Sequence, residues 1–451
     1  MNNLPTTDNN QGDLTIGRAD YEELKFISNV SLKELVKTEP NLLVFPHSLN
    51  VNDDKIEDDW ILKLSYCRDN NAILTTGNIM GFVGRGNTQL TIKSRFQNNE
   101  QDYFLHYMIQ KVFLPNIVDL PHTTTNNNIF DFLPFLLPYY LKRALTQGLY
   151  KTYQKFERND SKVKGVIDIN KHIKLNIPFS GKIAYTSRES SFDNPITQLI
   201  RHTIEYIKTK QYGRKLLSAD SELKSYINQI LEATPTYSQQ KRQNIINQNI
   251  KPINHPYYTE YKPLQKLCLA ILRHKKLSYG DGSNKVYGIL FDGAWLWEEY
   301  LATFLKPMSF VHPQNKLKKY RIFAGTNSSY PRYPDLYRGI QKNCKAVPEN
   351  NMILDAKYKR LDELKEIERN DLNQLITYLH ILPSNVAKLI YPTKNENPYE
   401  KDITVCGLGG KIQTIGVFIP QVSEEIKNYG DFCKAMANSE DYLKEKILEK
   451  F

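Results

Sequence analysis

The chain has 451 residues, with 60 lysines and arginines against 49 aspartates and glutamates, so its formal net charge is +11. A hydrophobic fraction of 40% is that of a folded protein and excludes wholesale disorder, and at roughly 150 residues per domain the length predicts two or three domains. No apolar run approaches the roughly 18 residues of a membrane span, residues 1–13 carry no secretory signal pattern, and the five cysteines lie far apart. We therefore expect a cytoplasmic protein without a membrane segment, a disulfide framework or a zinc ribbon.

Missing motifs exclude two further classes. The sequence contains no phosphate-binding loop of the GxxxxGK[ST] type, so the chain itself is not expected to be a P-loop NTPase. The nine histidines form no HExxH motif and no cluster with cysteines, which argues against a dedicated transition-metal site. The basic charge balance is compatible with a polyanionic partner such as nucleic acid.

The N-terminal part of the chain predicts a disordered tail at residues 1–13, followed by a β-rich domain over residues 14–120. Short runs of β-branched and aromatic residues between Asn, Asp and Gly turns indicate strands. We predict these strands at residues 61–66, 72–76 and 89–94. A helix follows, because Tyr103, Phe104, Tyr107 and Met108 recur at helical spacing.

The middle region, residues 121–287, is predicted to be mainly helical, with a polar linker at 121–128. Asn194 followed by Pro195 is a strong helix start, because Asn caps the free amides and proline loses no hydrogen bond at the first helical position. Residues 163–174 alternate like a basic strand of a β-hairpin, and residues 211–250 are polar and helix-prone.

The C-terminal region, residues 288–451, alternates helices and strands, which predicts a mixed sheet flanked by helices. Helices are predicted at 292–305 and 363–382, and strands at 317–324, 333–337, 352–358, 387–391 and 413–419. The expected fold is therefore a multidomain α/β chain with a β-rich N-terminal domain, a helical middle region and a C-terminal α/β domain.

Three residues of the C-terminal region form the most informative pattern. Asp335 follows Pro334, and twenty residues later an apolar strand carries Asp355 and Lys357, which side-chain alternation places on one face. The gap spans two strands and a turn, so Asp335 can lie beside Asp355. Two adjacent carboxylates repel unless a cation lies between them, and Mg²⁺ prefers such oxygen ligands. Lys357 would add a positive charge suited to phosphodiester hydrolysis.

The alternative is a surface Asp–Lys pair at a strand end, which any protein may contain. The context favours a site, since Gln374 and Tyr378 lie four residues apart on one face of the following helix. Three glycines, Gly81, Gly84 and Gly86, are followed by a predicted strand rather than a helix. They therefore indicate a hairpin turn with Arg85 at its tip, not a dinucleotide-binding loop.

The pattern of Asp335, Asp355 and Lys357 resembles the PD-(D/E)xK nuclease superfamily, and within it the McrC family of two-component, modification-dependent restriction systems. Further segments resemble McrC in the same order, and the resemblance covers most of the chain from about residue 75. These segments are residues 163–167 (VKGVI), 192–194 (FDN) and 389–392 (LIYP), with 79–96, ending in KSRF, resembling longer, LlaJI-like members.

The resemblance implies a C-terminal PD-(D/E)xK nuclease domain in which Asp335 and Asp355 hold Mg²⁺ and Lys357 is the catalytic lysine. Gln374 would be a supporting active-site residue. Glu298 would supply a further carboxylate, although it and the adjacent Glu299 also fit ordinary solvated helix charges.

The resemblance also implies a partner, an AAA+ GTPase that recognises methylated DNA and whose hydrolysis the McrC-like subunit stimulates. Residues 163–182, with Lys164, Lys171, Lys174 and Lys182, are the first candidate for the partner contact, and the turn with Arg85 is the second. Both also fit ordinary basic surface strands. The basic stretch Lys316, Lys318, Lys319 and Arg321 is a candidate for binding DNA phosphates, and so is residues 273–276 (RHKK); solvated charge runs are the alternative.

Three hypotheses of function follow. The first is a Mg²⁺-dependent DNA endonuclease subunit of an NTP-driven restriction complex, with GTP as the expected nucleotide and double-stranded, modified DNA as substrate. The second is a non-catalytic assembly or activator subunit of that complex. The third is a stand-alone DNA repair nuclease that needs neither nucleotide nor partner.

Overall fold

A computed structural model describes most of the chain. The described residues are 2–12, 14–39, 41–46, 59–66, 71–97, 102–113, 133–210, 212–218, 220–277, 286–313, 320–321, 331–339, 351–361, 367–382, 384–407 and 409–449. The predicted linker at 121–128 lies outside them, as do Lys316, Lys318 and Lys319.

The described residues form a mixed α/β fold. The strands, in chain order, are β1 Asn2–Thr7, β2 Leu14–Ile16, β3 Asn41–Phe45, β4 Leu62–Tyr66, β5 Ala72–Thr76, β6 Ile79–Arg85, β7 Thr88–Lys93, β8 Thr152–Asp160, β9 Val166–Ile167, β10 Ile183–Ser191, β11 Tyr287–Asp292, β12 Tyr320–Arg321, β13 Pro331–Arg332, β14 Leu336–Arg338, β15 Met352–Ala356, β16 Val386–Thr393, β17 Asp402–Thr404 and β18 Lys411–Phe418. The helices are α1 Arg18–Leu24, α2 Leu32–Thr38, α3 Tyr103–Phe113, α4 Leu133–Leu145, α5 Ile169–Leu175, α6 Pro195–Lys208, α7 Gly213–Leu217, α8 Ser221–Ala233, α9 Arg242–Gln248, α10 Tyr261–Leu277, α11 Gly293–Leu305, α12 Arg369–Ile381 and α13 Tyr429–Leu448.

The described residues group into two compact units. Those up to residue 113 and from residue 276 onward form the first, here called the core unit, and residues 133–275 form the second, the inserted unit. The sequence predicted separate domains for residues 14–120 and 288–451, whereas the described parts of both lie in the core unit. The reason is β11, which pairs in parallel with β3 and antiparallel with β6 and so closes one sheet from distant parts of the chain.

The core unit contains two five-stranded sheets. The first has the strand order β1-β7-β6-β11-β3, and the second has the order β14-β15-β16-β18-β17. In the second sheet β15, β16 and β18 run parallel, and β14 and β17 pair antiparallel at the edges. Helix α12 packs against this sheet, because its Leu375 and Tyr378 share one apolar cluster with Ile353 and Leu389.

A single buried carboxylate joins three helices of the core unit. Glu440 of α13 is only 4% exposed and accepts hydrogen bonds from the hydroxyls of Tyr107 on α3, at 2.8 Å, and Tyr300 on α11, at 2.9 Å. Lys111 of α3 forms an ion pair with it at 3.3 Å. The charge of this buried carboxylate is thereby compensated, as burial requires.

The inserted unit combines helices with a long antiparallel hairpin. Strands β8 and β10 pair over nine residues each, from Thr152 opposite Ser191 to Asp160 opposite Ile183. Helix α6 begins where the sequence predicted. The Asn194 side chain accepts hydrogen bonds from the amides of Ile196 and Thr197, and the Thr197 hydroxyl accepts one from the Asn194 amide.

Most predicted elements are confirmed, with shifts of a few residues at their ends. The strand predicted at 72–76 is β5, the helix at 292–305 is α11 with Asp292 as its cap, and the strand at 352–358 is β15, which ends two residues earlier. Of the strand predicted at 317–324, only residues 320 and 321 are described, as β12. None of the described helices combines the length and hydropathy that crossing a membrane requires.

Two of the predicted segments are wrong. Residues 1–13 are not a disordered tail throughout, because Asn2–Thr7 form β1, which pairs in parallel with β7. The sequence NNLPTT lacks an apolar pattern, so the strand owes its order to backbone pairing. Residues 163–174 are not one hairpin strand: only Val166–Ile167 is a strand, and Ile169–Leu175 form helix α5. The Asp168 side chain caps that helix by accepting a hydrogen bond from the Lys171 amide at 3.0 Å.

We expect Asn194→Ala to loosen the start of α6. Losing a cap of this kind costs about 1 kcal/mol, up to about 2. Native-state hydrogen exchange of the Ile196 and Thr197 amides, which bond to Asn194, should therefore become roughly tenfold faster, since 1.4 kcal/mol is a factor of ten. Ser225→Ala, at an exposed position inside α8, is the control and should leave exchange in its helix almost unchanged. Unchanged exchange at Thr197 would contradict the assigned cap.

Candidate active site

Asp355 lies near the carboxyl end of a buried central strand. All five residues of β15 are buried, and Asp355 is 0% exposed. The strand lies between β14 and β16, and Asp355 is level with Leu389 of β16. The apolar run Met352-Ile353-Leu354 explains the central placement, since a strand covered on both faces needs apolar side chains. The sheet therefore brings a carboxylate into the interior of the core unit.

Asp335 lies beside Asp355. Leu336 of β14 pairs with Leu354 in antiparallel register, which makes residues 335 and 355 the next opposite positions. The Oδ2 atom of Asp335 accepts a hydrogen bond from the amide of Ala356 at 2.8 Å. Asp335 is 8% exposed, so both carboxylates are buried. The juxtaposition predicted from the twenty-residue gap is what the structure shows.

Lys357 and Gln374 complete the cluster. The Lys357 Nζ atom lies 2.9 Å from Oδ2 of Asp355 and donates a hydrogen bond to Oε1 of Gln374 at 3.0 Å. Gln374 in turn donates to the hydroxyl of Tyr378 at 2.8 Å, and that hydroxyl donates to the carbonyl oxygen of Tyr333 at 2.7 Å. This chain of hydrogen bonds fixes the amide orientation of Gln374, and through it the ammonium group of Lys357.

The electrostatics of the cluster follow from burial and from the paired carboxylates. Burial, and then the negative charge of Asp355, raises the pKa of Asp335 to about 7. Burial acts to lower the pKa of Lys357, but the charges of Asp355 and Asp335 outweigh it and raise that pKa above its ordinary value. Lys357 is therefore a protonated cation at neutral pH, and Asp335 changes charge near neutral pH.

The carboxylate oxygens of Asp335 and Asp355 are suitable ligands for a hard divalent cation. The Oδ1 atom of Asp355 is buried and has no hydrogen-bond partner among the described residues. A buried carboxylate oxygen without a partner is costly, and a cation between Asp355 and Asp335 would satisfy it while removing their repulsion. Among the described residues, no group of three or more His, Cys, Asp and Glu side chains is placed to hold a metal ion. Glu298, buried on α11, is therefore not grouped with the two aspartates.

His312 is a neighbour of the site that the sequence did not indicate. Val311 bridges to Tyr337 of β14, and this places the His312 ring so that Nδ1 lies 2.7 Å from the carbonyl oxygen of Asp335. Its Nε2 lies 3.5 Å from Glu299. Burial lowers the pKa of His312, but the hydrogen bond and charge of Glu299 raise it above the ordinary value. No local sequence signal links residue 312 with residue 335.

The structure describes only some of the other predicted site residues. Arg321 is in β12, and its side chain lies outside the described part. Arg85 is not an exposed tip: its guanidinium is 2.9 Å from Glu23 and lies over the ring of Phe26, at 3.8 Å from the centroid. In the inserted unit Lys164 and Lys174 are exposed, and Lys171 pairs with Glu157.

Fold and site together define a mixed α/β protein with two buried carboxylates and a lysine at the carboxyl end of a parallel strand. The chain belongs to the McrBC 5-methylcytosine restriction system component family, whose model matches residues 74–392. That range includes Asp335, Asp355, Lys357 and Gln374 and the whole described part of the inserted unit. The resemblance seen in the sequence is thereby confirmed at the level of the family.

Solved structures give a more distant likeness. One is a half-complex from a tetradecameric assembly of Thermococcus gammatolerans McrB AAA+ hexamers with bound McrC, at 14% identity and a TM-score of 0.45, covering 97% of this chain and 99% of that chain. The other is the Thermococcus gammatolerans McrBC complex, at 13% identity and a TM-score of 0.31, covering 67% of this chain and 87% of that chain. A comparison with curated proteins gives no match. The likeness is too weak to assign any residue.

We expect Asp335→Asn to stabilise the metal-free protein above neutral pH. Because the pKa of Asp335 is raised to about 7, the folded state binds its proton more tightly than the unfolded state, and stability falls as pH rises from about 4 through 7. The variant lacks this loss and should exceed wild type by on the order of 1–4 kcal/mol at pH 8, with the difference vanishing towards pH 4. Urea unfolding in EDTA measures this difference.

Asp441→Asn is the matched control for this measurement, since Asp441 is an exposed aspartate of the core unit. It should leave the pH dependence of unfolding as in wild type. If the free energy of unfolding depends on pH in the same way in wild type and in Asp335→Asn, then burial and Asp355 do not raise the pKa of Asp335.

Proposed function

We propose that the chain is the DNA endonuclease subunit of a two-component McrBC-type restriction system, with a C-terminal nuclease site of the PD-(D/E)xK type. The observation that carries the proposal is the cluster of Asp335, Asp355 and Lys357 at the end of β15, with Lys357 2.9 Å from Asp355. Membership of the McrBC family supports it. The substrate is double-stranded DNA, and its modified base would be read within the complex.

Asp335 and Asp355 would hold Mg²⁺, which supplies a Lewis acid for the scissile phosphate and lowers the pKa of a bound water. The ammonium group of Lys357, 2.9 Å from Asp355, would stabilise negative charge that develops on the phosphate. Gln374 holds the Lys357 ammonium group in place by accepting its hydrogen bond. Glu298 remains a candidate for a further carboxylate only by the resemblance.

The geometry favours this function over the two alternatives. A vestigial site in a non-catalytic activator would have no reason to keep two buried, mutually repelling carboxylates, which cost stability. A stand-alone repair nuclease would need no surface for a partner, whereas the inserted unit exposes apolar side chains that suit one, as described below.

Asp355→Ala should abolish DNA cleavage, with a loss of at least a thousandfold in rate, because it removes a metal ligand and the ion pair of Lys357. The assay combines the chain, its co-encoded motor subunit, Mg²⁺ and GTP or ATP with methylated or unmethylated plasmid. Asp402→Asn, an exposed aspartate of β17 in the same sheet, is the control and should cleave as wild type does.

Each alternative function has its own outcome in this assay. If Asp355→Ala still cuts, the site assignment fails. Faster NTP hydrolysis by the motor without any cleavage would identify an activator, and cleavage without motor and nucleotide would identify a repair nuclease.

We also propose that the inserted unit binds an AAA+ GTPase partner and stimulates its hydrolysis. The segment between β8 and β10 exposes large apolar side chains, here called the tip surface: Val166, Ile167, Ile169, Ile173, Leu175, Ile177 and Phe179. Val166 is 78% exposed, and Ile177 and Phe179 are 68% and 67% exposed. Several large exposed apolar side chains within one short segment are typical of protein interaction sites. Lys164 and Lys174 add positive charge beside them.

The triple variant Val166→Ser, Ile177→Ser and Phe179→Ser should weaken stimulation of the partner's GTP hydrolysis by tenfold or more, because it removes apolar surface that the partner would bury on binding. Because the three residues are exposed, the variant should fold as wild type does. Ile250→Ser, at a 56% exposed apolar residue of the same unit outside the tip surface, is the control. Equal stimulation by the triple variant and wild type would reject the tip surface as the contact.

DNA binding by Lys316, Lys318, Lys319 and Arg321 stays a prediction. If these residues contact phosphates, their combined replacement by glutamine should reduce the dependence of DNA affinity on salt concentration, by about one unit of slope for each lost contact.

A further inference from the structure

The segment after the catalytic strand leaves the sheet at Lys357. The ladder between β15 and β16 ends with Ala356 opposite Ile390, and the Lys357 amide then donates to the Ile390 carbonyl at 2.9 Å. The next residue, Tyr358, is 4% exposed and makes no ladder contact. The position of Lys357 beyond this last hydrogen bond therefore depends on how Tyr358 is anchored.

Two residues that follow β7 of the first sheet hold Tyr358. The Arg95 Nη2 atom donates to the carbonyl oxygen of Tyr358 at 2.8 Å and also bonds to Oδ1 of Asn78. The guanidinium lies over the Tyr358 ring, 4.7 Å from its centroid. The Ser94 hydroxyl forms a hydrogen bond with the Tyr358 hydroxyl at 2.7 Å. Ser94 and Arg95 together therefore contact the backbone, the ring and the hydroxyl of Tyr358.

Asp8, immediately after β1, orients Arg95. It is 0% exposed, and its Oδ1 accepts a hydrogen bond from the Arg95 amide at 2.6 Å while Oδ2 lies 3.3 Å from Nε. Arg95 itself is 4% exposed. A buried ion pair loses much of its attraction to desolvation, so it adds little net stability compared with an apolar pair. The ion pair instead fixes the orientation of the Arg95 side chain, because a planar guanidinium held by several acceptors has one orientation.

We infer that Asp8 and Arg95 are positioning residues for Lys357, and that the N-terminal strand β1 is thereby part of the scaffold of the active site. This inference rests on the proposed nuclease function. Neither residue touches the reacting atoms, and both act through Tyr358. Displacement of a catalytic group by about 1 Å can cost a hundredfold in rate. An anchor more than 250 residues away in sequence, as Arg95 is from Tyr358, can therefore control the reaction.

Arg95→Met keeps the length and much of the packing of the side chain, and the backbone hydrogen bond to Asp8, but removes the guanidinium bonds to Tyr358 and Asn78 and the ion pair with Asp8. The cleavage kcat of the complex should fall tenfold to a hundredfold, as for other residues that orient catalytic groups. The DNA concentration for half-maximal rate and the stimulation of GTP hydrolysis should not change. Arg95→Lys and Asp8→Asn keep part of the contacts and should be intermediate. Glu440→Gln, which removes a buried charge elsewhere in the core unit, should keep the wild-type kcat.

Hydrogen exchange of the Lys357 amide tests the anchor without relying on cleavage. Exchange should be at least tenfold faster in Arg95→Met, while amides within the β16–β18 ladder exchange as in wild type. Equal exchange at Lys357, equal acceleration throughout the ladder, or an unchanged kcat would overturn the inference. If Arg95→Met does not fold, Arg95→Lys decides by the same measurements. Faster exchange at Lys357 in a complex whose wild type cuts no DNA would establish the anchor and reject the proposed function instead.

Discussion

Two carboxylates, Asp335 and Asp355, are buried side by side, and the rest of the site compensates for that arrangement. The Ala356 amide bonds to Asp335, and the Lys357 ammonium pairs with Asp355. These contacts leave one buried oxygen of Asp355 without a hydrogen-bond partner among the described residues. A proton on Asp335 or a divalent cation between the two carboxylates would each relieve their repulsion, so the arrangement suits the metal site proposed above. Strongly perturbed ionisable groups that the surrounding structure holds together are concentrated at functional sites.

The sheet can enforce this arrangement because β15 is central and held on both sides. The antiparallel edge strand β14 sets the register that places residue 335 opposite residue 355, and the parallel neighbour β16 fixes the end of β15. Helix α12 then supplies Gln374 and Tyr378 from above the same strand, with Leu375 packed into the shared apolar cluster. Each polar residue of the site is therefore placed by an element whose own position is set by apolar burial.

Sequence patterns predicted the structural features that depend on residues close together in the chain. Strand alternation and an apolar run predicted that Asp355 and Lys357 share a face, and Asn194 predicted a helix start through its capping chemistry. Contacts between distant residues were not predictable in this way. The strand β1 has a polar sequence and is ordered by pairing with β7, β11 completes a sheet with strands from the N-terminal part, and Arg95 reaches Tyr358 across 263 positions. The identity of one residue in such a contact does not indicate which distant residue is its partner.

The tip surface and the lysines of residues 163–182 differ in what their exposure to water costs. Exposed charges are well solvated and contribute little when paired. Lys171 is already paired with Glu157. Exposure is unfavourable in free energy for Val166, Ile177 and Phe179, because their apolar surface stays in water until another molecule covers it. A nuclease site needs buried charges held rigidly, whereas a docking surface needs exposed apolar groups. In the function proposed above, the core unit would meet the first requirement and the inserted unit the second.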